Sequence, residues 1–301
     1  MKLSRVLIVY KKSTYQIQGV EHKEPRFLEL IEQGHASVTR VVRAHDEHYG
    51  TLEKIKSELT NRNIDYYMAA RADLNKKIVN DVDLIISVGG DGTFLDASHH
   101  TLTIPILGVN SATSSSFGHF CIANETNFAK TLDEIEAGKL TAKPILRLEI
   151  LLSGQPISQQ VLNEVLICHS NPAGTSRYFI EIANKKEEQR SSGILIGPPA
   201  GSTGFLRAAG GAVLPITDRS FQYIVREPCP RPTENWLLTK GLVTNLADEI
   251  KIVSETRTAA IFIDGAHIVY RFPLGEELII RASKTDLMAF INPNLNQIFQ
   301  G

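Results

Sequence analysis

The run Leu84-Ile85-Ile86-Ser87-Val88, followed at once by Gly89-Gly90-Asp91-Gly92-Thr93, constrains this chain more than any other feature. Five apolar or small residues make a buried-type strand, and adjacent glycines end it in a turn that backbone without Cβ passes easily. Residues 94–100 then open a helix, and 104–109 supply another strand. This is the order of a β-α-β unit, whose ligands bind at the carboxyl ends of the strands. The loop suits an anion: glycine lets phosphate oxygens reach backbone N–H groups, and the helix N-terminus adds a positive dipole. Asp91 beside a phosphate is unfavourable unless it accepts a proton from an attacking hydroxyl or holds Mg²⁺. A turn adopted for conformational reasons explains Gly-Asp-Gly but not the five residues behind a buried strand. Neither G-x-x-x-x-G-K-[ST] nor G-x-G-x-x-G occurs, so the loop is neither a Walker A loop nor a dinucleotide fingerprint.

The rest of the first third repeats the texture. Residues 6–10 read as a first strand, Leu52, Ile55 and Leu59 share one helical face, and a strand follows near Tyr66 and Tyr67. Phe128, Leu132 and Ile135 form a further helical stripe. From about residue 145 short β-type runs crowd together, at 146–152, 161–168, 178–183, 194–196, 250–253, 260–263 and 278–280, separated by turns such as Ser153-Gly154. The fold class is therefore α/β, with a Rossmann-like N-terminal α/β domain carrying the glycine loop and a β-rich, β-sandwich-like domain after it. The length of 301 residues accommodates both.

Composition removes several function classes. Lys and Arg number 32 against 33 Asp and Glu, a formal charge of −1, which leaves no excess to hold nucleic acid or an anionic membrane. The three cysteines, Cys121, Cys168 and Cys229, are odd in number and include no C-x-x-C pair, so neither a disulfide framework nor a zinc site is suggested. His45 with His48, and His99 with His100, lack third and fourth ligands, which leaves no protein metal site. No uncharged apolar run reaches the roughly 18 residues of a membrane span. A soluble, cytoplasmic protein is expected. The serines at 114–116 and the Pro-rich residues 228–232 read as loops.

Gly89-Gly90-Asp91-Gly92-Thr93 resembles the signature shared by NAD kinases, diacylglycerol and sphingosine kinases and, more loosely, phosphofructokinases. Three further segments single out the NAD kinase family. Asn163-Glu164 resembles its Asn-Glu motif; Gly201-Ser202-Thr203-Gly204, with Ala209-Gly210-Gly211 behind it, resembles its Gly-Ser-Thr-Ala-Tyr loop; Asp264-Gly265 resembles its late Asp-Gly turn. On residue chemistry alone, Asn163 and Glu164 are as well read as polar residues on an exposed strand face as they are as ligand groups. In the latter reading the amide both donates and accepts, and the carboxylate accepts from ribose hydroxyls. There are departures. Ser192 stands where most members carry an acid that holds the nicotinamide-side ribose, and Ala200 and Phe205 replace a hydroxyl and a phenol. The loop through Ser116-Phe117-Gly118-His119-Phe120 lacks the usual Leu-Gly-Phe ending. These features look more like the divergent mitochondrial-type branch of the family.

The resemblance implies phosphoryl transfer from ATP or polyphosphate to the adenosine-ribose 2′-hydroxyl of NAD, giving NADP. It makes Asp91 the catalytic base. Gly89, Gly90, Gly92 and Thr93 would cradle donor phosphates carrying Mg²⁺ or another divalent cation. Asn163, Glu164, Ser192, Ser202 and Thr203 would bind NAD, in a site between the domains. It further implies a homodimer or homotetramer. The expected domains are residues 1–120, with 286–301 returning, and 121–285. The alternatives are a lipid kinase sharing the glycine loop and a catalytically silent NAD(P)-binding sensor.

Overall fold

The computed structural model describes residues 1–74 and 81–299. They divide into two compact units: residues 1–143 with 288–292, and residues 144–287 with the segment from 293 onward.

In the first unit, β1 (Arg5–Tyr10), β2 (Asp65–Ala70), β3 (Leu84–Gly89), β4 (Ile106–Asn110) and β5 (Cys121–Asn124) build a parallel sheet. Its order is β2-β1-β3-β4, with β5 and the strand Leu287–Phe290 also paired to β4. The chain leaves β1 for β2 on one side and reaches β3 on the other, so the sheet reverses between the carboxyl ends of β1 and β3, where ligands of open sheets bind. Every residue of β3 is buried, as its unbroken apolar run requires. Helix α1 spans Pro25–Glu32 and α2 spans Ala36–Asn61. Leu52, Ile55 and Leu59 of α2 pack in one core with Val6, Ile8, Leu84 and Ile86. Each such side chain contributes about 1.5–3 kcal/mol of hydrophobic stabilisation. Helix α3 covers Asp91–Ser98 and α4 covers Phe128–Glu136.

Helix α3 begins three residues before the expected 94, because Gly90 is extended and caps it. The first unit also runs past the expected end at 120. Strand β5 joins the parallel sheet, and Phe128, Leu132 and Ile135 of α4 fill the same core. Of the C-terminal segment, 288–292 belongs to the first unit and the residues from 293 to the second.

The second unit holds two six-stranded antiparallel sheets that share one core. One contributes Ile150, Tyr178, Ile180, Ile252 and Ile280; the other contributes Ile167, Ile194, Ile196, Phe221 and Ile261. Strands such as Ile250–Ser254 alternate buried and half-buried residues, as one-sided burial demands. The expected single strand at 161–168 is two, Gln155–Val161 and Val165–His169, broken where Leu162, Asn163 and Glu164 turn their N–H groups to Asp264. Lys185–Ser191 carries no hydrophobic alternation to announce it, yet pairs along its whole length with Ser176–Ile182. Its charges suit its place at a sheet edge.

Candidate functional site

The glycine loop sits at the carboxyl end of β3. A Cβ built on Gly89 would lie 2.2 Å from Thr93 Oγ1, and one on Gly90 would lie 2.5 Å from Ser116 Oγ. Close approach is therefore what these glycines permit. Thr93 is 1 % exposed and its hydroxyl has no hydrogen-bond partner. It packs against Gly89 and shapes the loop from behind. Asp91, the first residue of α3, accepts a hydrogen bond at Oδ1 from the Phe120 backbone N–H, 2.8 Å away. Burial, and then the charge of Asp91, push the neighbouring Cys121 thiol up, so it stays protonated and is no nucleophile.

The loop 111–120 is built to hold this arrangement. Asn110 donates from Nδ2 to Ser116 O at 2.9 Å and accepts at Oδ1 from Ala112 N at 3.2 Å. Gly118 has φ +64° and lies so close to the Asn110 amide that a Cβ would meet it at 2.5 Å. From α2, His48 Nδ1 pairs with Ser111 Oγ at 2.7 Å, and Thr51 Oγ1 donates to Ser111 O at 3.2 Å. His48 is thus a positioning group, and His45 likewise pairs with Ser13 Oγ at 2.7 Å.

Beside the loop, in the same unit, lies a cavity of about 600 Å³. Lys11, Lys12, Arg40 and Arg71 line it together with apolar Ile17 and Val41. Lys11 directly follows β1 and Arg71 directly follows β2, so both project from carboxyl strand ends. The Arg71 guanidinium is 3.5 Å from where a Gly92 Cβ would stand and pairs with Asp96 at 3.2 Å. Burial, and then the Arg71 charge, lower the Lys11 ammonium below its usual range. The sequence reading missed this cluster. Its signal was two cations immediately after a strand whose partner strand ends in another.

The second unit has its own cavity, of about 630 Å³, whose wall includes Glu164, Ser192, Phe205, Arg226, Phe262 and Gly265. Asn163 and Glu164 occupy the break between two strands. The Asp264 carboxylate accepts from Leu162 N at 2.9 Å, Asn163 N at 2.7 Å and Glu164 N at 3.0 Å. Asp264 itself has φ +50° and Gly265 φ +121°, the turn that aims the carboxylate at those donors. A Cβ on Gly201 would lie 1.7 Å from Asn163 O, which explains that glycine. Burial, and then the charge of Asp264, push the Glu164 carboxyl up to about 7.

The structure thus brings Glu164 and Ser192 to one cavity wall; Asn163, half-buried, is not among the residues of that wall. It does not bring Ser202 there. Ser202 is fully buried; its hydroxyl donates to Pro199 O at 2.7 Å and accepts from Leu214 N at 3.0 Å and Asn296 Nδ2 at 3.3 Å. Thr203 ends the same short helical turn, Pro199–Thr203, half-buried and outside the cavity wall. Arg207, readable from sequence as a phosphate ligand or a solvated charge, is exposed with its guanidinium 5.2 Å from the Phe299 ring centre.

Residues 6–140 match the ATP-NAD kinase N-terminal domain. A probable NADH kinase of Oryza sativa subsp. japonica is 35% identical, over 82% of this chain and 82% of its own. An NADH kinase of Arabidopsis thaliana is 31% identical over 83% and 86%, and an NAD kinase of Thermococcus kodakarensis is 32% identical over 70% and 74%. Among solved structures, an NAD kinase from Archaeoglobus fulgidus in complex with ATP has a TM-score of 0.71 at 20% identity, covering 99% of this chain and 97% of that one. Yeast NADH kinase complexed with NADH gives 0.69 at 18%, covering 99% and 86%. These two similarities show a shared fold.

Proposed function

The chain belongs to the NAD kinase family, and on that premise we propose that its two cavities take the two substrates of NAD phosphorylation, ATP in the first unit and the dinucleotide in the second. The product is NADP, or NADPH where the acceptor is NADH; the relative named an NAD kinase supports the first acceptor and the plant relatives named NADH kinases support the second. The observation that carries the reading is the carboxylate of Asp91, fixed by Phe120 N–H at the mouth of a glycine loop and beside a cavity lined by four cations.

Phosphoryl transfer asks the protein mainly to position groups and to neutralise charge. Lys11 and Arg71 supply the charge for the donor's phosphates, and Ile17 and Val41 supply an apolar wall for its base. Gly92 opens the backbone to the transferred phosphoryl group, while Gly89 and Gly90 let Thr93 and Ser116 pack close and hold the loop's shape. Asp91 orients the ribose 2′-hydroxyl and takes its proton as the oxygen attacks the γ-phosphorus, the bond from that phosphorus to the β-phosphate oxygen breaks and ADP leaves. In the second unit, Glu164 and Ser192 bind the dinucleotide from the cavity wall, and Asn163, whose backbone packs on Gly201, is the neighbouring polar group. A lipid acceptor fits this wall poorly, since Arg226 and Glu227 stand in it.

Among the described residues no group of three or more His, Cys, Asp or Glu side chains is placed to hold a metal. A divalent cation suits the site only as a companion of the donor's phosphates, where it would offset phosphate charge; Asp73 of the cavity wall and Asp91 of the glycine loop are the carboxylates that would face it. No helix among the described residues is long and apolar enough to cross a membrane. The unpaired cysteines support a reducing compartment such as the cytoplasm. A homodimer or homotetramer belongs to the same reading, with light scattering as its measure. The test of function is a matrix of ATP and polyphosphate against NAD and NADH, with NADP(H) detected. Product from ATP with either dinucleotide supports the reading, and none from any pair rejects it.

A further inference from the structure

Residues Tyr15–Glu21, shortly after β1, wind as a π-helix, and none of them is buried. The hydrophobic core therefore does not hold this segment, and a π-helix is a rare form that surrounding contacts must maintain. Its ties run to α1 and α2. Ser13, buried just before it, accepts at Oγ from the Gln16 N–H at 3.0 Å, which leaves the hydroxyl proton for His45 Nδ1 of α2 at 2.7 Å. The His45 ring also packs on Tyr15 and Tyr49, with ring centres 4.8 and 4.7 Å away, and Tyr15 reaches Phe27 of α1 at 6.4 Å. The same two stretches of chain face the basic cavity. Lys11, Ser13 and Ile17 line it from one, and Arg40, Val41 and Ala44 line it from α2. Their separation sets the width of the cavity, and the hydrogen bond from Ser13 to His45 ties them together.

Resting on the reading of this cavity as the phosphoryl-donor site, we propose that His45 is a positioning residue for the donor. It is not on the cavity wall and acts through Ser13, keeping Lys11 and Ile17 at the spacing that the donor's phosphates and base require. The two parts of the side chain then have separate tasks. Nδ1 fixes Ser13 and serves binding, whereas the ring, packed on Tyr15 and Tyr49, serves stability.

Steady-state kinetics and thermal melting on the full chain separate those tasks. His45→Phe keeps a ring against the two tyrosines and loses the acceptor; it should raise the ATP KM about three- to tenfold, with kcat, the NAD KM and the melting temperature near wild type. His45→Asn keeps an acceptor near the place of Nδ1 and loses the ring; it should melt lower yet hold the wild-type ATP KM. Ser13→Ala should match His45→Phe, and the double variant Ser13→Ala/His45→Phe should be no worse than either alone, because both remove one contact. A wild-type ATP KM in His45→Phe, effects that multiply in the double variant, or an ATP KM that follows the melting temperature across the set would each overturn the assignment. Arg71→Ala is assayed beside them. If it raises the ATP KM while Ser13→Ala and His45→Phe do not, the donor site stands and His45 loses its role; if it leaves the ATP KM unmoved, the site itself fails and the assignment goes with it. Ser13→Ala decides the matter even if the variants at position 45 do not fold.

Discussion

The backbone N–H of Phe120 donates to Asp91 Oδ1 across 2.8 Å, joining the end of one loop to the start of the helix behind another. One carboxylate oxygen is fixed, which sets the direction of the other, the oxygen that on the proposed reading meets the substrate hydroxyl. The tie is anchored at its far end by His48 and Thr51 of α2, which hold Ser111. A base positioned in this way spends little of the barrier on finding its geometry.

Replacing Asp91 with Asn separates positioning from proton transfer. The amide oxygen still accepts from Phe120 N–H, so the loop persists, but the group no longer takes a proton. Turnover should fall about 10²–10⁴-fold, with NAD binding unchanged. Steady-state rates and calorimetry on the same preparation check both halves. A near wild-type rate would remove Asp91 from the chemistry.

The glycines of the loop should not respond alike. In Gly89→Ala the new methyl meets Thr93 Oγ1 at 2.2 Å, so a buried side chain must move, at a cost of about 1–3 kcal/mol. In Gly92→Ala the nearest atom is Arg71 Nη1, at 3.5 Å, an ordinary contact with a flexible group. That variant should melt like wild type and show its defect in the donor KM alone. Equal melting temperatures for the two variants would contradict the packing described for Gly89.

Arg71 should matter to the donor and not to the acceptor. It lines the basic cavity, and a charge-assisted contact with phosphate is worth about 1.5–3 kcal/mol. Arg71→Ala should therefore raise the ATP KM roughly 10–100-fold, with the wild-type excess in affinity shrinking as salt is added. An effect confined to the NAD KM would mean that the cavity has been given to the wrong substrate.

Much of this was legible in the residues, for identifiable reasons. The buried run at 84–88 and the stripe of Leu52, Ile55 and Leu59 announced the first core, because period and burial coincide there. Lys185–Ser191 was silent, since an edge strand needs no hydrophobic face to pair. The break at Leu162-Asn163-Glu164 depends on Asp264, about a hundred positions away, and no local pattern reveals such a partner. Ser202 shows the converse: a motif serine that reads as a ligand is consumed by Pro199, Leu214 and Asn296 in the interior. The basic cavity escaped because its cations come from separate strand ends that only the sheet order brings side by side.

Two buried groups should give the folded chain opposing pH dependences. His48 is fully buried; burial first, then the charge of Lys11, lower its imidazole to about 4, against an ordinary 6.5. The folded state thus binds fewer protons than the unfolded one between those values, and the stability tied to neutral His48 is present above about 6.5 and lost as pH falls toward 4. Glu164 runs the other way: with its carboxyl raised from 4.5 to about 7, its stabilising share is present below about 4.5 and lost as pH rises through 7. Each is worth at most about 3 kcal/mol, so between pH 4.5 and 6.5 they nearly cancel in the wild type. Glu164→Gln should uncover His48, its stability relative to wild type falling as pH drops from 6.5 to 4.5. His48→Gln should uncover Glu164, its stability relative to wild type rising over the same interval. Thermal denaturation at half-unit pH steps on the three proteins measures both differences, and parallel curves would show that neither group changes its protonation on folding.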